Sequence, residues 1–171
     1  MASAGYNVYA GDALSLDLVG NVKFGTADAT KGLGTGQNDY SAQADGYYSF
    51  AKTTLFATAG YRIYGEPTGI TMKSSPYGTI GTSQKLSDET SAGIMLDVVK
   101  SPTTASADQR EVTAFVSQKI SASTKVQANV MKGYSTGSPD FGFGGMITAP
   151  LLSMFVVPVA YLLWKGRKFK S

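Results

Sequence analysis

The residue types that perform most enzyme chemistry do not occur in this chain. Its 171 residues contain no histidine and no cysteine. A thiol nucleophile, a Ser-His-Asp triad, an imidazole base and an ordinary zinc or haem site are therefore excluded. We predict that the protein is not an enzyme, that it uses no cofactor and that it holds no metal.

The remaining motifs each have a simpler interpretation than catalysis. The glycines at 32–36 lack the spacing of a phosphate loop, and Ser49-x-x-Lys52 lacks the companion motifs of penicillin-recognising enzymes. Asp88 and Glu89 have no second carboxylate predictably opposite, so we expect a solvated turn and not a glycosidase dyad. The methionines are scattered along the chain, which favours packing over a copper site.

The net charge of +3 arises at the end of the chain. Residues 1–140 carry twelve acidic and eleven basic side chains, whereas four cations follow position 164. A nucleic-acid-binding surface needs basic residues spread over a folded face, so we predict no nucleic-acid partner. Cations directly after an apolar run are typical of the cytoplasmic border of a membrane span.

The elements that position the polar side chains are predicted from a period of two. Within 53–64, Leu55, Ala57 and Ala59 fall on one side of an extended chain, while Thr54 and Arg62 fall on the other. Runs of about 10 to 12 residues match transmembrane strands, whereas strands of soluble proteins centre on about five or six. Seven such runs lie at about 13–24, 41–50, 53–64, 76–86, 90–99, 109–120 and 123–134, with an eighth candidate at Phe141 to Thr148.

This pattern predicts an all-β fold for residues 1–140. We expect an antiparallel up-and-down meander of seven or eight long strands that forms a complete or partial membrane β-barrel. A soluble antiparallel barrel or sandwich is the alternative, because several apolar faces carry Ala and Gly in place of Leu or Val. In a membrane barrel the polar side would line the lumen, and the candidate lumen-lining residues are Arg62, Lys85, Asp97 and Lys119.

A short internal repeat gives further information on topology. Gln84-Lys85-Leu86-Ser87 followed by Thr90 recurs 34 residues later as Gln118-Lys119-Ile120-Ser121 followed by Thr124. In an up-and-down meander this interval corresponds to two hairpins. The repeat therefore predicts two similar turns at the same end of the sheet.

The last part of the chain has a different pattern. Residues 141–164 carry no charge, and a helix of this length would reach about 36 Å, enough to cross a bilayer. We predict a transmembrane helix there, followed by a basic tail at 165–171. Small residues recur every four positions and predict packing against another chain or a second copy: Gly145, Ala149 and Ser153. The expected membrane-interface anchors are Tyr161, Trp164, Lys165, Arg167 and Lys168.

Residues 144–168, GGMITAPLLSMFVVPVAYLLWKGRK, resemble the last transmembrane helix of the heavy-metal resistance-nodulation-division efflux permeases. That helix contains the same Gly-Gly, Leu-Leu-Ser and Val-Pro-x-x-Tyr motifs, and a basic tail follows it. The resemblance implies a proton-driven, trimeric inner-membrane pump for metal cations. It covers about 25 residues, and nothing in 1–143 matches the proton-relay acids or metal-binding methionines of that family.

Residues 13–143 resemble a different family, the outer-membrane β-barrel transporters found beside aromatic-degradation pathways. The similar phrases include LDLVGNVKFGTAD, ATAGYR, YGTIGTSQKLSD and KGYSTGSPDFGFG. Members of this group end in a strand after a Ser-Pro-Asp-aromatic-Gly turn, as at 138–142, and normally finish on a terminal aromatic residue. The resemblance covers the C-terminal part of such transporters and implies passive transport.

The two resemblances imply different membranes. A long uncharged helix is retained in the inner membrane, whereas a barrel strand alternates polar and apolar residues. Residues 1–15 also lack the charged and apolar regions of a secretory signal peptide. A fragment, a fusion or a mis-joined reading frame would explain these features together.

We therefore predict a protein of the cell-envelope membrane whose first partner is the lipid bilayer. The outer membrane is favoured for residues 1–140, and the inner membrane is the alternative because of residues 141–164. The favoured function is passive conduction of small solutes. The alternatives are a fragment or accessory piece of a heavy-metal cation efflux permease of the inner membrane, and a tail-anchored β-domain with a structural or interaction role.

Overall fold

A computed structural model describes residues 1–27, 31, 34–67 and 69–148, and these residues form one antiparallel sheet. The strands follow each other in chain order, and each pairs with the next. They are β1 (Ala2–Ala10), β2 (Leu14–Lys23), β3 (Asp39–Phe50), β4 (Thr53–Ile63), β5 (Ser75–Lys85), β6 (Thr90–Val99), β7 (Gln109–Lys119), β8 (Lys125–Gly133) and β9 (Phe141–Thr148).

The all-β meander confirms the fold class predicted from the period of two. The seven predicted runs coincide with β2 to β8 to within two residues at each end, and the eighth candidate coincides with β9. Strand β1 was not predicted. Its alternation is interrupted, because the register with β2 shifts between Asn7 and Tyr9, and its remaining side chains are mostly small.

The predicted helix over 141–164 is wrong for its first eight residues, because Phe141–Thr148 is strand β9. This strand contains three glycines, each of which costs a helix about 1 kcal/mol relative to alanine. Gly145 lies opposite Ala128 in the sheet and not on a helical stripe. Within the part of the chain that the structure describes, no helix is long and apolar enough to cross a bilayer.

The other predictions for the C-terminal part fall outside the described residues. They comprise the rest of the helix, the basic tail, the packing positions and the interface anchors: Ala149, Ser153, Tyr161, Trp164, Lys165, Arg167 and Lys168.

The strand register separates the side chains into two faces. Residues that pair directly in an antiparallel sheet lie on the same face, so Leu18 shares a face with Ala44, and Ala57 shares it with Ile80. We call this side the apolar face. Its central positions are Tyr6, Leu16, Leu18, Ala44, Ala57, Ala59, Ile80, Ile94, Leu96, Ala114, Val116 and Val130.

The opposite side, which we call the polar face, carries most of the hydroxyl, amide and carboxylate groups of the strands. Its central positions are Asn7, Asp17, Gln43, Asp45, Thr58, Tyr77, Thr79, Asp97, Glu111, Thr113 and Asn129. The alternation that the sequence predicts for Leu55, Ala57 and Ala59 against Thr54 and Thr58 is thus confirmed by the register.

The burial of the two faces is the reverse of that in a soluble domain. No hydrophobic side chain among the described residues is buried. On the apolar face Leu18 is 52% exposed and Ile80 is 63% exposed, whereas Asp45 and Thr113 of the polar face are only 7% and 8% exposed. Contiguous exposed apolar surfaces of this extent are uncommon on soluble monomers.

The connections differ in length at the two ends of the sheet. One end, the short-turn end, has the connections at 11–13, 51–52, 86–89 and 120–124. The other, the long-loop end, has those at 24–38, 64–74, 100–108 and 134–140. The repeat identified in the sequence forms matching turns, since the N–H groups of Leu86 and Ser87 donate to the Thr90 carbonyl just as those of Ile120 and Ser121 donate to that of Thr124. The predicted placement of both turns at one end is confirmed.

The described sheet is open and is not closed into a barrel. Strands β1 and β9 each pair on one side only, at opposite edges. Because the meander has nine strands, β1 and β9 run in the same direction, and pairing them with each other would require a parallel junction.

Candidate functional site

One row of directly paired residues brings carboxylates together across the polar face. Asp17 lies opposite Asp45 on β3, and Asp97 lies opposite Glu111 on β7. Between these two pairs lie hydroxyl side chains of β4 and β5. We call the whole set the acidic row: Asp17, Asp45, Thr58, Thr79, Asp97 and Glu111.

Like charges directly opposite each other destabilise a sheet, and neighbouring donors compensate for this in the acidic row. The Asn7 amide donates to Asp17 at 2.7 Å. The Thr79 hydroxyl donates to Asp97 at 2.5 Å. Hydrogen bonds to a charged acceptor contribute about 1.5–3 kcal/mol each. Among the described residues, no three carboxylates are grouped so that they could hold a metal ion.

Asp45 is the most deeply covered member of the acidic row, and a chain of hydrogen bonds holds it. The Thr58 hydroxyl donates to one carboxylate oxygen at 2.5 Å, and the Gln43 side-chain amide donates to the two oxygens at 3.0 and 2.8 Å. The Tyr77 hydroxyl donates to the Gln43 carbonyl oxygen at 2.8 Å. This last bond fixes which end of the Gln43 amide points to Asp45.

The Tyr77 ring lies on the polar face above Gly60. Gly60 is the β4 residue that pairs with Gln43 on β3 and with Tyr77 on β5. A Cβ atom at position 60 would lie 2.3 Å from the ring carbon Cζ, so the close approach requires glycine. Phe56 covers Gly81 in the same way, and a Cβ there would lie 2.4 Å from the Phe56 ring. Aromatic rings placed over strand glycines of this kind help to fix the register and curvature of a sheet.

Arg62 lies near the long-loop end of the polar face, with Ser41 opposite on β3 and Ser75 opposite on β5. Its guanidinium carbon is 5.2 Å from the centre of the Tyr77 ring and 5.8 Å from that of Tyr64. One guanidinium N–H group donates to the Tyr64 hydroxyl at 3.4 Å. Two aromatic rings thus hold the charged group by cation–π attraction.

Two cavities meet at Arg62. One of about 680 Å³ extends under the β6–β7 and β8–β9 loops, with Lys100, Gln109 and Thr136 in its lining. The other, of about 410 Å³, extends towards β2 and β3, where it is lined by Asn21 and Asp39. Arg62 and Tyr64 line both of them.

Ion pairs and backbone bonds tie the long loops together around these cavities. Lys23 pairs with Asp39 at 2.8 Å, and Lys100 pairs with Asp108 at 2.6 Å. The Lys73 N–H group donates to the Pro102 carbonyl at 2.7 Å and so joins two loops. The hydrogen bond from Lys100, together with one from the Ser101 N–H group, lowers the pKa of Asp108.

The short-turn end of the polar face has a different charge pattern. Lys85 and Lys119 lie there in a cavity of about 430 Å³, together with Lys52 and Lys125. Lys85 forms an ion pair of 3.0 Å with Asp88, and this hydrogen bond lowers the pKa of Asp88. Asp88 and Glu89 are exposed in this turn, as the sequence predicts.

All four candidate lumen residues lie on the polar face, but at three different levels. Lys85 and Lys119 are together at the short-turn end, Asp97 is in the acidic row, and Arg62 is at the long-loop end. Arg62 lies opposite Ser75, and the ten residues from there to Lys85 correspond to about 33 Å along β5. The four residues therefore form no single cluster.

Sequence reasoning missed Gln43, Asp45, Thr58 as a hydroxyl donor, and Tyr77. The contact between Asp45 and Thr58 was predictable from the sequence. The turn of two residues at 51–52 pairs Phe50 with Thr53, and counting back along both strands pairs Asp45 with Thr58. No similar signal was available for Tyr77, because the β4–β5 connection at 64–74 is long and does not fix the register.

Comparison with known proteins adds no assignment to this geometry. No protein-family model matches the chain, and a search of curated proteins finds no significant match. Both family resemblances read from the sequence therefore stay predictions.

Proposed function

We propose that this chain forms part of the wall of a membrane-spanning β-barrel that conducts small polar solutes passively. The observation that carries the proposal is the reversed burial of the two faces. Large apolar side chains are exposed, while the central side chains of the opposite, polar face are mostly half-buried and Asp45 and Thr113 are buried. A barrel in lipid has this polarity, with apolar residues outward and polar residues towards the lumen.

The dimensions of the strands support contact with a bilayer. Strand β3 has 12 residues, which correspond to about 40 Å in length. At the tilt of about 40° that is usual in membrane barrels, it would span about 30 Å, the thickness of the hydrocarbon layer. Every other strand has between 8 and 11 residues. Strands of soluble sheets are typically about half as long.

Aromatic side chains lie near both ends of the apolar face. Tyr40, Tyr61 and Phe141 are near the long-loop end, and Tyr48 and Phe50 are near the short-turn end, where their rings are 5.9 Å apart. Membrane barrels carry aromatic girdles at the two lipid–water interfaces. The short turns at one end and the longer loops at the other also follow the pattern of such barrels.

In this proposal the polar face would be the solute path. Solutes would pass the Lys85 and Lys119 level, the acidic row with Asp97, and the Arg62 level in turn. Because the described sheet is open, a closed wall needs further strands, either from additional polypeptide or from other copies. The outer membrane is the favoured location, because bacterial barrels of this kind reside there.

The metal-efflux alternative gains no support from the sheet. Of the residues that resemble a pump helix, 144–148 belong to β9, and the others lie outside the described part of the chain. A β-domain whose apolar face is covered by another protein remains the rival to the barrel, and the following experiment separates the two.

The experiment is reconstitution of the full chain into planar lipid bilayers and liposomes. We expect discrete conductance steps and release of small neutral sugars but not of large ones. The matched control is Leu96→Arg, which places a charge on the apolar face and would reduce insertion. A chain that stays monodisperse in detergent-free buffer, does not bind liposomes and releases no sugar would contradict the proposal and favour a protein-covered sheet.

A further inference from the structure

We infer that Arg62 is the centre of a binding site for small carboxylate ions at the long-loop end of the polar face. The inference rests on the proposed function only for the claim that solutes reach this face. Binding itself depends on the contacts, charges and cavities around the guanidinium group, and it can be measured separately from conduction.

The first argument is the unused hydrogen-bonding capacity of Arg62. A guanidinium group has five N–H donors. Among the described residues it has one acceptor, the Tyr64 hydroxyl, at the long distance of 3.4 Å. Neither serine directly opposite accepts a hydrogen bond from Arg62. The Ser41 hydroxyl accepts from Asn21, and the Ser75 hydroxyl donates to the Lys100 carbonyl.

The second argument is charge. Asp39, a carboxylate that lines the smaller cavity, is already paired with Lys23. Asp108, in the loop above the larger cavity, is paired with Lys100. No carboxylate in the described part of the chain lies within ion-pair distance of Arg62, which is half-buried. A half-buried cation without a counterion is costly, and an anion from solution would relieve that cost.

The third argument is the shape of the site. Tyr77 is held by its bond to Gln43 and by the absence of a side chain at Gly60, so the ring under the guanidinium carbon is fixed. The two cavities that meet at Arg62, of about 410 and 680 Å³, are in the range of small-molecule pockets, about 300–1,000 Å³. A ligand can therefore approach the free N–H groups from either side.

These features favour a carboxylate over other anions. Its two oxygens match the fork of guanidinium N–H donors, and such bidentate pairs are strong and directional. A single unpaired cation also matches a monoanion, whereas a phosphate group carries about −1.5 to −2 charges at neutral pH and would be only partly neutralised.

The test uses the full chain in detergent micelles with acetate as the probe. The sequence has only three arginines, Arg62, Arg110 and Arg167, so arginine labelled with ¹⁵N at Nε gives three side-chain Nε–H signals. We expect saturable movement of the Arg62 signal alone as acetate is added. The line width of ¹³C-acetate should show binding weakened roughly 10- to 100-fold by Arg62→Gln, the loss expected for charge-assisted hydrogen bonds.

Two variants keep the test decisive. Arg110→Gln makes the same change of charge, but Arg110 lines neither cavity. This variant should therefore alter the acetate affinity by less than about twofold, far below the loss expected for Arg62→Gln. Arg62→Lys retains the charge and loses the fork, so it provides a folded comparison if the glutamine variant does not fold, and it should bind several-fold more weakly than the native chain.

The results that would overturn the inference are distinct from those that would overturn the proposed function. Equal acetate binding by the native chain and Arg62→Gln, equal losses in the Arg62 and Arg110 variants, or displacement of acetate by a lower concentration of inorganic phosphate would each refute the carboxylate site. Acetate binding at Arg62 without conductance in bilayers would support the site and contradict the pore. Conductance without acetate binding would support the pore and contradict the carboxylate site.

Discussion

Replacing Ile80 by arginine would place a charge at the middle of the apolar face. Ile80 lies halfway along β5, opposite Ala57 and Leu96, and its side chain is 63% exposed. Ile63, at the end of β4, has the same apolar-face orientation and a similar exposure of 53%. Six residues, or about 20 Å along the strand, separate it from the level of Ile80. The two sites thus differ mainly in their depth in a bilayer.

The two substitutions have different expected costs if lipid covers this face. Arginine at the midplane of a membrane barrel costs about 2–4 kcal/mol, whereas near the interface it costs about 0–1 kcal/mol. Because a tenfold change in an equilibrium constant corresponds to about 1.4 kcal/mol, Ile80→Arg should shift the folding equilibrium roughly 30- to 700-fold. For Ile63→Arg the shift should not exceed about fivefold.

The assay is equilibrium unfolding by urea in phospholipid vesicles, followed by far-ultraviolet circular dichroism. Ile80→Gln measures the loss of apolar contacts without a charge and serves as the control. If water covered this face, both arginine variants would behave as ordinary surface substitutions, within about 0.5 kcal/mol of the native chain. Equal and small costs at the two depths would refute the reasoning.

Three further predictions concern the polar face and its loops. Gly60→Ala should destabilise the sheet by about 1–3 kcal/mol, because its Cβ would overlap the Tyr77 ring, whereas Gly20→Ala, with nothing within 4 Å, should not; urea unfolding compares them. Thr58→Val should cost about 1.5–3 kcal/mol by removing a donor to the covered Asp45 carboxylate, and the same cost in an Asp45→Asn background would contradict this. The pKa of Asp108 is lowered, so the hydrogen bonds of this carboxylate with Lys100 and Ser101 stabilise the loop at any pH above the ordinary aspartate value of 3.8. They are lost as the pH falls through the lower pKa of the folded chain. The Ser101 amide signal should follow this titration in the native chain and should not do so in Asp108→Asn.

The sequence predicts the strands well wherever large and polar residues alternate. In β4, Leu55 and Ala57 against Thr54 and Thr58 specify both the strand and its two faces, and the register confirms this assignment. Strand β1 lacks such contrast, because its side chains are mostly small and its period is broken near Asn7. In β9 the absence of charge predicts a helix, but three glycines weaken a helix there, and Phe141 and Phe143 alternate with Gly142 and Gly144 as in a strand.

The site was predictable only in part, for a reason that lies in the connections. The parity of β4 is sufficient to place Arg62 on the polar face. Its contact with Tyr77 depends on how β5 is aligned with β4, and the connection at 64–74 leaves many alignments open. The contact between Asp45 and Thr58, in contrast, follows from the two-residue turn that joins β3 to β4.

The most direct test of the central claim is a cysteine scan of β4 in liposomes. The chain has no native cysteine, so single substitutions from Thr54 to Ala59 can each carry a spin label. The account predicts a period of two, with labels at 55, 57 and 59 accessible to oxygen dissolved in lipid, and labels at 54 and 58 accessible to a water-soluble nickel complex. Access of the nickel complex to every position, or the loss of alternation, would contradict the claim that lipid covers the apolar face.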